Sequence, residues 1–152
     1  MIKSKNKKLN DFMDVLIAFL IAISIYFGLS LIMKTSMPVV TVVSDSMLPT
    51  LHVGDLLLVD NLKKPEIGDI VVYKVSVINY PIVHRIIGKK FVNGRYGYII
   101  KGDNNEQADP FVVMPEDIIG KVYLSIPMLG YPRYLIYLPF KKYDESHFFK
   151  KN

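Results

Sequence analysis

Apolar and polar positions divide the chain into two unlike parts. Val15 to Met33, "VLIAFLIAISIYFGLSLIM", is 19 residues without a charge. As a helix it would be about 28 Å long, close to the hydrocarbon thickness of a bilayer. It is apolar all round, which argues against an amphipathic surface helix. A cleavable signal peptide has a shorter apolar core, roughly 7–15 residues, that ends in a small-x-small site. This run ends in "MKTSMP", so the pattern predicts a retained membrane span. The later stretch 126–140, "IPMLGYPRYLIYLPF", holds three Pro and one Arg and is too short for a second span. Its tyrosines suit a bilayer interface or an ordinary core.

Beyond Lys34 the pattern turns to short β-rich runs separated by turn signals. The runs are 39–43, 55–60, 69–77, 82–92, 96–102 and 118–126. "VNGRY" (92–96) predicts a hairpin, because Asn-Gly tolerates the positive φ angles of a type I′ turn. With no second long helical pattern and no repeat, the expected fold is mainly β: one N-terminal transmembrane helix, then a β-rich domain.

Charge narrows the choice of partner. The chain of 152 residues carries a net charge of +5. Residues 1–14 hold four Lys and two Asp, and 141–152 hold four Lys, one Asp and one Glu, so each tail contributes +2 and the remainder only +1. With no basic face between the tails, nucleic acid is a poor candidate partner. Lys3, Lys5, Lys7 and Lys8 precede the span and only Lys34 follows it closely, which places the N-terminus in the cytoplasm and the rest outside. Cys is absent, which excludes thiolate chemistry and Cys-ligated zinc, and the three His are too scattered for a metal motif.

The groups left for chemistry are few. Ser44 and Ser46 lie where an apolar strand breaks, with Pro49 stiffening the backbone beyond. They are candidate nucleophiles or parts of a Ser turn. His84 is the only His inside a strand-like run. Alternation puts Ile82, His84 and Ile86 on one face, which suits either a core His or a base in a partly dry wall. His52 sits in a turn and His147 in a polar tail. Asp103 and Asp109 flank the turn-rich "DNNEQAD", and either can orient an imidazole. Spacing alone does not choose between them.

Behind one span, the order "SDSMLPTL", "GDIVVYK", "PIVHRIIG", "KGDNNEQAD" and "MPEDIIGKV" resembles the type I signal peptidases, specifically the archaeal and endoplasmic-reticulum-type branch. The resemblance covers nearly the whole chain. It implies a serine endopeptidase with Ser46 as nucleophile and His84 as general base, where the bacterial branch uses Lys. Asp109 is favoured as triad acid, with Asp103 supporting, and Ser44 falls where a hydroxyl helps form the oxyanion hole. Asp45 departs from the pattern, standing where many relatives have Gly. The implied substrates are secretory preproteins cut after small-x-small sites. Partners would be the lipid bilayer and the Sec translocon or other subunits, with no metal or cofactor. The domains expected are a cytoplasmic basic tail (1–14), the transmembrane helix (15–33), an extracytoplasmic catalytic domain (35–140) and a charged C-terminal tail (141–152). Two other readings stay open. One is a Lys-base serine enzyme, against which His84 argues; the other is a non-enzymatic membrane-anchored β module.

Overall fold

A computed structural model describes residues 2–76, 78 and 80–138; the tail at 141–152 lies outside the described residues. The chain opens with one helix, α1 (Ile2–Met33). It begins well before Val15, since Lys, Asn and Asp side chains tolerate a helical backbone and only the apolar pattern starts later. Leu9–Met33, 25 residues of mean hydropathy 2.7, is long and apolar enough to cross a membrane, and none of it is packed inside the protein. Lys34 ends the helix in a left-handed conformation (φ 51°). Its N–H bonds the Leu31 carbonyl at 3.4 Å, and the Thr35 N–H bonds that of Ser30 at 3.2 Å. This is a Schellman turn, which satisfies carbonyls the helix would otherwise leave unpaired.

The remaining elements are β1 (Val39–Thr41), β2 (Leu56–Asp60), β3 (Ile70–Tyr73), β4 (Ile82–Val92), β5 (Arg95–Lys101), β6 (Ile118–Ile126) and a short helix, α2 (Tyr131–Tyr137). Each predicted run holds one strand. The strands form one sheet in the order β1-β2-β6-β3-β4-β5, antiparallel at every pairing. The β4–β5 turn has Asn93 and Gly94 at φ 50° and 81°, as a two-residue type I′ turn requires. The run predicted to reach residue 77 stops pairing at Tyr73: the Lys74 N–H turns to the Asp117 carbonyl, 2.9 Å away. Within 126–140 the structure forms only the seven-residue α2.

β3 explains why the sheet needs covering on both faces. Val71 and Tyr73 belong to one apolar cluster with Ile82, Ile86, Ile100 and Val113. Val72, between them, belongs to another with Val40, Met47, Leu57 and Val59. Successive strand side chains point to opposite faces, so a run buried at every position faces two cores. The anchor is tied to the second strand. The Asn61 N–H reaches the Met33 carbonyl at 2.8 Å, and the Thr35 hydroxyl donates to the Ile119 carbonyl at 2.9 Å.

Gly120 marks where β6 presses against β2. A Cβ there would lie 2.6 Å from the Asp60 carbonyl oxygen and 2.7 Å from Val59 Cγ1. Gly120→Ala should therefore cost about 1–3 kcal/mol of stability, read from the midpoint of chemical denaturation in detergent. Gly88→Ala, whose new Cβ would meet nothing nearer than 3.7 Å, should change it by less than about 0.5 kcal/mol.

Candidate active site

Alternation along β4 sorts the site. Ile82, His84 and Ile86 are 1%, 0% and 0% exposed, so they share the inward face and Arg85 points the other way. In register, His84 lies opposite Val71, and Tyr73 opposite Ile82. Tyr73 therefore shares a face with His84, the ring centroids 6.4 Å apart.

The segment after β5 returns beneath this face. The Asp109 N–H bonds the Ile100 carbonyl at 2.9 Å, which carries the Asp109 carboxylate to His84 Nδ1, 2.9 Å from Oδ2 and 3.1 Å from Oδ1. Both side chains are fully buried. The Tyr73 hydroxyl donates to Asp109 Oδ2 as well. An ionised carboxylate only accepts, so the proton on the ring sits at Nδ1 and the Nε2 lone pair faces outward. There it meets Ser46 Oγ at 3.0 Å. Two donors on a buried carboxylate offset the cost of removing it from water.

Ser46 is held by the same returning segment: the Asn104 N–H donates to its carbonyl at 2.9 Å. The approach is close enough to require Gly102. A Cβ there would stand 2.6 Å from the Ser46 carbonyl oxygen, 2.7 Å from Asn105 Nδ2 and 2.9 Å from His84 Nε2. Ser44 Oγ lies 3.2 Å from Ser46 Oγ. Asp45 is exposed, and its main-chain carbonyl accepts from Asn104 Nδ2 at 3.1 Å. Solvent around Asp45 screens its charge from the site.

Asp103 goes to the other side of β4. Arg85 grips it through two bonds, Nε to Oδ1 at 2.8 Å and Nη2 to Oδ2 at 2.6 Å, while the Thr50 hydroxyl donates to Oδ2 at 2.6 Å. No hydrogen bond joins it to His84 among the described residues. Asp103 thus ties the returning segment to β4 and to the turn after Ser46. Lys89 and Lys90, on the outer part of β4, are exposed. His52 is exposed in its turn, and His147 lies outside the described residues.

Tyr73, Arg85, Thr50 and Gly102 are the contacts that pattern reading passed over. A signal for two of them was present. The antiparallel return from β3 to β4 places Tyr73 beside His84, and an Arg next to His84 calls for an acid on the strand's other face.

The Arg85 guanidinium, helped by the Thr50 hydroxyl, holds the Asp103 carboxyl below its ordinary range against the opposing effect of burial. An acid lowered in the folded state contributes stability that is present above its unfolded pKa, about 4, and lost as pH falls through the folded value. Asp103→Asn should therefore destabilise the protein at neutral pH, with the gap to wild type closing as pH drops below about 4. Denaturation midpoints across that range check this; a constant gap would contradict it.

The comparisons with known proteins agree in kind. Residues 21–123 match the family described as Peptidase S24-like. The signal peptidase complex catalytic subunit SEC11 of Colletotrichum graminicola is 37% identical over 125 residues, covering 76% of this chain and 73% of that one. The SEC11 of Eremothecium gossypii is 32% identical over 140 residues, 86% and 84% of the two chains. That of Fusarium vanettenii is 38% identical over 126 residues, 76% and 73%.

Proposed function

The chain belongs to the endoplasmic-reticulum-type signal peptidases within the S24-like peptidases, and from that premise we propose that it is a membrane-anchored serine endopeptidase with Ser46 as nucleophile. Its reaction is the removal of signal peptides from preproteins. The observation that supports this reading is the unbroken hydrogen-bonded line from Ser46 Oγ through His84 to Asp109, with steps of 3.0 and 2.9 Å.

His84 Nε2 takes the hydroxyl proton as Ser46 Oγ attacks the scissile carbonyl, and Asp109 steadies the imidazolium that forms. The Ser46 amide and the Ser44 hydroxyl stabilise the oxyanion. His84 then gives the proton to the departing amine, and the acyl-enzyme is hydrolysed by water that His84 deprotonates in turn. Tyr73 fixes the Asp109 carboxylate, and Asp103 acts as a brace rather than as the triad acid. The Lys-base alternative is disfavoured because the group in contact with Ser46 Oγ is the His84 ring.

α1 anchors the chain in one pass, with the N-terminus cytoplasmic and the catalytic domain extracytoplasmic at the cell membrane. The domain divisions at 1–14, 15–33, 35–140 and 141–152 follow from that reading. Twelve residues between Met33 and Ser46 span at most about 45 Å, so the nucleophile stays near the surface where a membrane-held substrate presents its cleavage site. The preprotein lies extended near β1, an edge of the sheet, and near Ile82–His84, which β5 does not reach because its pairing starts at Arg85. Shallow apolar walls there suit the small side chains of small-x-small sites. The relatives are named as subunits of a signal peptidase complex, and further subunits or the Sec translocon are partners this chain would serve with.

Cleavage of a preprotein with an Ala-x-Ala site by purified protein in detergent tests the assignment. Ser46→Ala should lower kcat/KM by at least about 10⁴-fold with the fold intact. Asp109→Asn should cost about 10⁴-fold, and Ser44→Ala about 10²-fold. Asp103→Asn should cost much less than Asp109→Asn, and the reverse order would refute the assignment of the acid.

A further inference from the structure

A second concave surface lies where α1 meets the domain, remote from the Ser46 line. It is a cavity of about 640 Å³ between the β2–β3 connection, the β4–β5 hairpin and the start of β6. Lys63, Lys64 and Lys89 line it with Tyr96 and Tyr98, and Leu62 stands at its rim. Among the described residues that line it there is no carboxylate. Two neighbouring acids are already engaged, Asp60 by the Leu62 N–H at 3.1 Å and Glu116 by Arg95 at 2.9 Å. Lys89 Nζ rests 5.8 Å from the centre of the Tyr98 ring, and the Tyr98 hydroxyl donates to the Pro65 carbonyl at 3.3 Å. The aromatic wall is therefore fixed while the ammonium groups stay in water.

The position of this cavity decides what it faces. Its first lining residue, Asn61, is the one whose N–H bonds the Met33 carbonyl at the end of α1, at 2.8 Å. If α1 crosses a bilayer, the cavity opens at the level of the lipid headgroups. Leu62, Phe91 and Tyr96, exposed by 55%, 59% and 65%, are the side chains expected at such an interface. Lysines without a counter-charge are drawn to anionic lipid there.

We infer that this cavity binds the phosphate headgroup of an anionic membrane lipid in the leaflet where α1 ends. The inference rests on the proposed anchoring of α1. Binding there would fix the rotation of the β domain about α1, which a single helix leaves free. The bound headgroup would then hold the Ser46 cleft at one height above the bilayer.

The test uses the full chain in nanodiscs of phosphatidylcholine with a minor fraction of phosphatidylglycerol, with retained lipid counted by native mass spectrometry. The wild type should keep phosphatidylglycerol well above its share of the disc. Lys64→Gln/Lys89→Gln should lose that excess by roughly tenfold. Lys90→Gln/Arg133→Gln, which removes equal charge outside the cavity lining, should not. Equal loss in both variants, or no excess in the wild type, would overturn the inference. So would inorganic phosphate binding to the lipid-free protein as tightly as the lipid does, since the ligand would then be free phosphate. Failure of the chain to remain in discs would instead overturn the anchoring, and this inference with it.

Discussion

An imidazole cut off from solvent must find partners for both of its nitrogens inside the protein. His84, 0% exposed, imposes that demand on three separate parts of the chain. Asp109 comes from the segment after β5, Ser46 from the turn after β1, and Tyr73 from β3. Each is placed by backbone bonds that would exist without chemistry: the Asp109 amide on Ile100, the Asn104 amide on Ser46, the β3–β4 register. The catalytic line is thus continuous with the sheet. Its geometry is as rigid as the packing around it, which is the preorganisation that acyl transfer requires.

The two carboxylates of "GDNNEQAD" illustrate how a strand divides labour. They are six positions apart on one irregular segment, yet β4 sends His84 to one face and Arg85 to the other. Asp109 meets the first and Asp103 the second. The half-buried Arg85–Asp103 pair is bidentate, the geometry in which an ion pair contributes most. Because Thr50 also holds Asp103, the brace joins the turn beyond Ser46 to the strand of His84 from behind.

Much of this was legible in the residues. The span, the six strand positions, the Asn93–Gly94 turn and the face shared by Ile82, His84 and Ile86 all follow from periodicity and turn chemistry, which are local. The ambiguity between Asp103 and Asp109 is not local, because it depends on which way a long return bends after Gly102. Tyr73 was hidden for a similar reason: in sequence it reads as one more apolar strand residue, and only the register reveals its hydroxyl at Asp109. Asp45 looked like a liability beside a developing oxyanion, and its exposure to solvent removes the conflict. The early start of α1 and the short α2 escaped a pattern reading that follows apolar periodicity, since neither is set by it.

If Ser46, His84 and Asp109 work as one device, removing a second member after the first should cost little more. The most direct measurement is a double-mutant cycle on preprotein cleavage with Ser46→Ala, His84→Ala and the two combined. The account predicts that the double variant falls to about the same residual rate as either single variant. Losses that multiply would mean that the two side chains act independently, and the hydrogen-bonded line would not be the engine of cleavage.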